Sequence, residues 1–509
     1  MAQVSYRANI TAPTFPFLSQ HQGKSIIIKQ SDQYYMPSAV VKQDADRDLG
    51  IPQLYYGHNI LPTGQGISSV GYTTITQPVN NVEFLRRFLL RDSQGNKAYL
   101  GVTKSGTLYV CFDPYYTWTQ IGFASSQVPS ITGKLITLAH VNGTSYIYIA
   151  NSGCFKFNFS TRLLEQVTLT GLDPALIIGI VAASGYMIAW GKETVSWSSS
   201  ITELDFTPSL ETGAGGGKVQ NAKGDIALLL PHAAGFIAYT TNNAVACTYT
   251  GNARYPFKFS EIITSGGLAD TSLATFDANT GNQYAYTTSG MQLVSLQNAT
   301  TTMPELTDFI AGSVFEDFDE TLLSFVTTHL TTTMKKKLSL VSDRYLVISY
   351  GVTELTHAIV YDLALNKYGK LKVTHVECFE FSVLTPEVTE TPKASFAFLC
   401  PDGAIKLVKF SSGSGVALFG KYQYIRQRTI QLQTVSVESV KSTDNFNCYA
   451  LFTSEGKTPR KTVKGYLQTL SEQLREFKFC DVGHNISLLF VGAFSMNSLE
   501  LNFNVHGKR

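Results

Sequence analysis

The sequence predicts an all-β protein: a β-propeller of about seven blades, with an irregular N-terminal arm and a C-terminal β-sandwich or sheet cap. Two observations lead there. Of 509 residues, 12% are aromatic and only 15% charged, and Thr, Ser, Val, Ile and Tyr crowd the chain, a composition that favours pleated surfaces over helices. In addition, one pattern recurs: an apolar strand, a short polar or Gly turn, then a second strand with aromatic or β-branched alternation.

The copies begin at Ala98 (AYLGVTKSGTLYVCF), Ser145 (SYIYIANSGCFKFNF), Tyr186 (YMIAWGKETVSWSS), Phe236 (FIAYTTNNAVACTYT), Gln283 (QYAYTTSGMQLVSL), Tyr345 (YLVISYGVTELTHAIVYDL) and Ser395 (SFAFLCPDGAIKLVKF). Successive starts are 47, 41, 50, 47, 62 and 50 residues apart. Periods of roughly 40 to 50 residues built on a central hairpin are what propeller blades produce. A four-stranded blade cannot bury both faces alone, and radial stacking covers them. The fullest copy is Tyr345 to Lys372, where Tyr345, Val347 and Ser349 and then Ala358 and Val360 alternate with their neighbours, before a turn at Asn366, Lys367 and Gly369.

Taken in order, residues 1 to about 60 show little period, with one strand expected at Ser25 to Lys29. From Tyr56 to Tyr72, Pro62, Gly64, Gly66 and Gly71 punctuate the chain so heavily that turns and short extended pieces are expected. The long spacing before Tyr345 is assigned to an inserted amphipathic helix: Pro304 stands at a helix start, with Leu306, Phe309, Ile310 and Val314 at helical spacing. SSGSG, Ser411 to Gly415, reads as a linker. Beyond it, alternating segments from Thr429, Phe446, Glu476, Ile486 and Leu499 predict a further β domain. The organisation is therefore an arm and lead-in over 1–75, a propeller over 76–412 with a helical insertion near 303–320, and a β domain over 413–509 whose strands can also close the ring.

Composition excludes some functions. Forty Lys and Arg against thirty-eight Asp and Glu give +2, with no basic stripe for sequence-specific DNA reading. The uncharged run Pro174 to Gly191 approaches a membrane span in length, but Gly179 and Ser184-Gly185 break it into two core strands. No membrane span is expected. The N-terminus lacks an apolar signal core, and the seven scattered cysteines read as buried thiols.

The chemistry-bearing candidates each have a blander reading. TGAGGGKVQ from Thr212 has Thr212 where a Walker loop starts with Gly, and Val219 where it needs Ser or Thr, so it reads as a flexible loop. Glu316, Asp317, Asp319 and Glu320 could serve glycoside hydrolysis or bind Ca²⁺, but as a charge cluster at a helix end they read as solvated surface. The lysines at 335, 336 and 337 read as a solvated turn. His357 and His375, the closest histidines, lack metal-ligand spacing. No Gly-x-Ser-x-Gly elbow is present, and YTWTQIG from Tyr116 lacks the Asp and Gly of sialidase turns. The expectation is no enzyme, with no catalytic, cofactor or metal residues and no cofactor.

Several segments, in order, resemble the tail hub and nozzle proteins of short-tailed bacteriophages, a group that includes packaged-DNA stabilisation proteins of P22-like phages. NILPTGQGISSVGY from Asn59 is similar to that group's opening before the propeller, LIIGIVAASGYMIAWGKETVSWSS from Leu176 to one of its blades, and LDFTPSLETGAGGG from Leu204 to the loop that follows. The insertion from Pro304 to Val314, then YLVISYG and IVYDLALNKYGKL, match its helix and blade order, with Tyr368 where Trp is frequent. The likeness covers Asn59 to Leu371. It implies a structural virion protein of the phage tail, made in the host cytoplasm. Such a protein forms a ring, usually a homohexamer, below the adaptor that joins it to the portal, holds fibre, spike or needle proteins, and retains and delivers packaged DNA through non-specific contact in its lumen. The other class compatible with the residues is a carbohydrate-binding or glycan-degrading propeller, suggested by DPYYTW from Asp113 and by the Glu316 to Glu320 carboxylates.

Overall fold

The computed structural model describes residues 26–29 and, with short interruptions, 54–381 and 395–506. Five of its sheets are four-stranded meanders, and a sixth four-stranded meander forms one end of a larger sheet. Blade one comprises Phe84–Arg91, Lys97–Thr103, Leu108–Cys111 and Trp118–Ile121. Blade two runs from Ile136–Val141 to Leu163–Val167, blade three from Gly179–Ala183 to Gly215–Lys218, and blade four from Ile226–His232 to Phe257–Gly266. Blade five runs from Ala274–Phe276 to Thr300–Thr302, and blade six from Lys335–Val341 to Lys367–His375. The first strands of successive blades approach one another around the axis, so the fold is a propeller.

Each sequence copy is the middle hairpin of a blade. In blade six, Tyr345–Gly351 pairs with Leu355–Asp362 from Tyr345↔Asp362 to Tyr350↔His357. Local chemistry sets the turns: Asn142-Gly143 and Ser184-Gly185 are two-residue turns with both residues at positive φ, as hairpins with right-handed strand twist require. The second of these joins Gly179–Ala183 to Tyr186–Trp190, so the apolar run of Pro174 to Gly191 is two neighbouring strands. Among the described residues no helix is long and apolar enough to cross a membrane.

Blade seven is assembled from both ends of the chain. Glu377–Phe381, Ser395–Leu399 and Ile405–Phe410 supply three strands, and Ile67–Thr76 supplies the fourth, with pairs from Phe410↔Val70 to Ile405↔Thr76. The heavily punctuated lead-in therefore contains a ten-residue strand, not only turns. Gly66 closes the hairpin between Ile60–Pro62 and Ile67–Thr76, and both it and Gly71 lie where a Cβ would overlap neighbouring backbone.

Strands from the two ends of the described chain form a β-sandwich. One sheet has the order Leu54–His58, Gly415–Gln423, Asn485–Ala493, Asn445–Thr453, Lys461–Lys464. The facing sheet has Ile26–Lys29, Ser495–His506, Thr429–Ser439, Leu474–Gly483 and Tyr466–Thr469. Alternate residues point inward: Phe446, Cys448, Ala450 and Phe452 with Leu488 and Phe490 on one side, Leu432, Val435, Val437, Phe477 and Phe479 on the other. Of the residues described ahead of blade one, Ile26–Lys29 and Leu54–His58 join the sandwich and Ile67–Thr76 joins blade seven; most of the rest of the expected arm lies outside the described residues.

Two elements differ from expectation. Only a turn of helix is described after Met303, with the Thr307 N–H donating to the Met303 carbonyl at 2.9 Å and Leu306 buried. Val314–Asp319, placed at a helix end by its spacing, is instead a strand paired with Ser324–His329. Val314, Phe315 and Phe318 suit a strand as well as a helix, a common ambiguity for short apolar runs.

The serine-glycine segment after blade seven is a close-packed junction. The Ser411 N–H donates to the Ser69 carbonyl at 2.8 Å and to Ser68 Oγ at 2.9 Å, and the Phe494 N–H donates to Ser69 Oγ at 2.9 Å. Gly413 has φ +69°, and a Cβ there would lie 2.6 Å from Gly71 Cα and 3.0 Å from the Val70 carbonyl oxygen. We expect Gly413→Ala to cost about 2 kcal/mol or more from strain and overlap combined. Gly95, with φ +86° but nothing within 4 Å of its Cβ position, isolates backbone strain. Thermal unfolding should show a clearly larger fall for Gly413→Ala than for Gly95→Ala; equal falls would mean that the junction tolerates added volume.

Candidate functional site

The first strands of blades six, seven and one begin at one end of the propeller axis, and each brings charge there: Lys335, Lys336 and Lys337, then Glu377, then Arg86 and Arg87. Alternation decides where these side chains go. Leu338 and Leu340 turn toward the core shared with blade five, which leaves Lys337 facing blade seven. In blade one, Arg87 faces blade seven while Arg86, on the opposite face, donates from Nη1 to the Ile136 carbonyl of blade two at 3.1 Å.

Glu377 sits between them. Its Oε2 accepts the Arg87 backbone N–H at 3.0 Å, and the charged partners stand further off, Arg87 Nη2 at 3.8 Å and Lys337 Nζ at 3.7 Å. The Arg87 guanidinium lies over the Phe379 ring, 3.8 Å from its centroid, and 4.8 Å from that of Tyr99. Lys337 also donates to the Val376 carbonyl at 3.3 Å. Burial pushes the Glu377 carboxyl up, but the charges of Lys337, Arg87 and Arg86 and the Arg87 N–H together hold it below the usual range. Burial likewise lowers Lys337, with Glu377 opposing and Arg86 and Arg87 reinforcing.

Behind Lys337 lies a second polar cluster. His375 is fully buried, with Nε2 at 2.7 Å from Ser349 Oγ and Nδ1 at 2.8 Å from the Val373 carbonyl. Burial pushes its pKa down to about 4, opposed by the Val373 carbonyl and reinforced by Lys337 and His357. It is a neutral core histidine. His357 instead stacks on Tyr350, with ring centroids 5.3 Å apart.

The other sequence candidates do not converge. Gly215–Lys218 is the outer strand of blade three, paired with Thr194–Trp197, where a flexible loop was expected. A Cβ on Gly216 would lie 2.7 Å from the Val195 carbonyl oxygen, so the glycines allow close strand approach. Glu316, Asp317 and Asp319 fall on the strand in the connection from blade five to Lys335, while Glu320 lies outside the described residues. The three lysines form the start of a strand, not a solvated turn, and Lys337 is largely buried by blade seven. Of DPYYTW, Asp113 to Tyr116 lie outside the described residues; Trp118 is buried on Phe84 and donates Nε1–H to the Gly403 carbonyl at 2.7 Å. Six cysteines are buried, but Cys480 is exposed. Among the described residues no three His, Cys, Asp or Glu are grouped to hold a metal ion.

Arg86, Arg87 and Glu377 were not singled out by their sequence. Their common feature is position, near the head of a blade's first strand, and the connection from that strand to the recognisable hairpin has no fixed length that would mark it.

The chain is thus all-β, and its body is a seven-bladed propeller. No protein-family model and no curated protein matches it. Among solved structures it is similar to YCF48 bound to a D1 peptide, at 12% identity over 66% of this chain and 96% of that one, with a TM-score of 0.39.

The site predicts acid lability with a definite sign. Between pH 6.5 and about 4 the unfolded chain binds a proton that folded His375 does not, so stability falls as pH falls, by up to about 3 kcal/mol. Below the ordinary carboxylate pKa of 4.5, protonation of Glu377 removes stability in the same direction. Comparing melting temperatures at pH 7.5 and 4.5, the drop should be smaller for His375→Gln than for the unsubstituted chain; an unchanged drop would contradict the assignment.

Proposed function

We propose that this protein is a structural component of a bacteriophage tail, a hub or nozzle ring that continues the DNA conduit below the adaptor. It works by assembly and not by catalysis. The observation that carries the reading is the ordered resemblance from Asn59 to Leu371, which runs through the lead-in and the blades up to the sixth. The fold supports this in kind. A propeller joined by strand pairing to a sandwich offers two different β surfaces on which neighbours could be held.

Charge also supports it. A net charge of +2 on 509 residues gives phosphate backbones no extended basic track, which suits a wall past which DNA slides. The partners are further copies of the chain, in a ring of six, the adaptor above, and fibre, spike or needle proteins. The place of action is the virion, after synthesis in the host cytoplasm.

Light scattering and electron microscopy test the reading. The expected particle is a ring of mass about six times the 55.8 kDa chain, and it should attach to tail-less, DNA-filled capsids. A strictly monomeric protein that also fails to attach would overturn it.

A further inference from the structure

We infer that the end of the propeller axis where blades six, seven and one begin is a binding site for one oxyanion, a carboxylate or phosphate group. The inference stands on this geometry alone and does not depend on the tail reading. Charge is the first argument. Arg87 and Lys337 flank Glu377 at the heads of neighbouring strands, and the charge of Arg86 also reaches it, an excess of cations over the one carboxylate beside low-dielectric walls of Phe379 and Tyr99.

Unspent donors are the second argument. Arg87 Nη2 stands 3.8 Å from Glu377 Oε1 and Lys337 Nζ 3.7 Å from its Oε2, both beyond hydrogen-bonding range, while Oε2 accepts the Arg87 backbone N–H at 3.0 Å. Arg87 Nε is buried and has no partner. Arg86 uses Nη1 on the Ile136 carbonyl and is otherwise exposed, next to Leu85, itself 45% exposed. Half-buried cations with free N–H groups gain most from a compact anion that accepts several hydrogen bonds at once. A planar guanidinium fixed on an aromatic ring and a nearby ammonium suit the oxygens of a carboxylate or phosphate, and solvent reaches both through the 11% and 21% exposure of the two side chains.

Why these cations are not matched by carboxylates then has a physical answer: the missing charge comes from the ligand. Lys337 supports this, since its ammonium is destabilised by burial and by Arg86 and Arg87, a load that a bound anion would relieve.

Isothermal titration of the full chain with sodium phosphate and with sodium acetate, at ionic strength held constant with sodium chloride, tests the site. One saturable site per chain is expected for at least one of the two anions. Arg86→Gln, at an exposed position, should weaken it by about tenfold, whereas Lys464→Gln on the sandwich should leave it unchanged. Glu377→Gln, if it folds, should tighten binding by removing the competing carboxylate. Phosphate alone would identify a phosphoryl ligand, acetate alone a carboxylate, and either result supports the site. No heat beyond the chloride control for both anions, or equal affinity in Arg86→Gln and the unsubstituted chain, would overturn it.

Discussion

The pairing of Ile67–Thr76 with Ile405–Phe410 is the contact on which the rest depends. A propeller is a ring that strand pairing must close, and here Ile67–Thr76, which leads directly into blade one at Phe84, closes it by pairing with the last strand that blade seven draws from the far end of the propeller sequence. Blade seven would keep just three strands without this pairing, and its outer edge would be open to aggregation. The same strand does a second task at its start, where Ile67 and Ser68 pair with Met496 and Ser495 of the sandwich. One extended segment therefore fixes the ring and fixes the sandwich to it.

Small residues make that double role sterically possible. Four chain segments converge near Ser69: the lead-in hairpin, the closing strand, the exit from blade seven and the turn into Ser495–His506. Their backbones bond directly, with Val70 N–H donating to the Asn59 carbonyl at 2.7 Å and Ser69 N–H to the Phe494 carbonyl at 2.8 Å. Asn59, at φ +50°, extends the network by accepting the Lys372 N–H of blade six on Oδ1 at 2.9 Å. Serine hydroxyls then satisfy what the backbones leave over. A composition that reads as flexible spacer is, in this setting, what allows close approach.

That contrast shows what the sequence discloses and why. The blades were legible because a hairpin is local: period-two alternation and an Asn-Gly or Ser-Gly turn are written within about 15 residues. The closing strand was not, because its partner Ile405–Phe410 lies more than 300 residues away and nothing in ISSVGYTTIT names it. Gly215–Lys218 escaped for a related reason, since a strand without side chains has no alternation to read. The charged site was partly visible as three lysines, but its meaning rests on Glu377 and Arg87, which only ring closure brings beside them.

Closure and charge meet in the same blade. Glu377 opens the first strand of blade seven, and its partners come from the blades on either side, Lys337 from blade six and Arg87 from blade one. The outer edge of blade seven is held by strand pairing to the lead-in, and its inner edge by the Arg87 N–H bond to Glu377, the Lys337 bond to the Val376 carbonyl and these two ionic contacts. Hydrogen-bonded pairing is directional and sets register. The ion pairs, at 3.7 and 3.8 Å, set only proximity and leave the inner end adjustable to whatever charge enters it. Blade seven is thus fixed by strand pairing where it meets the lead-in, and held by one hydrogen bond and two longer ionic contacts where it meets the axis.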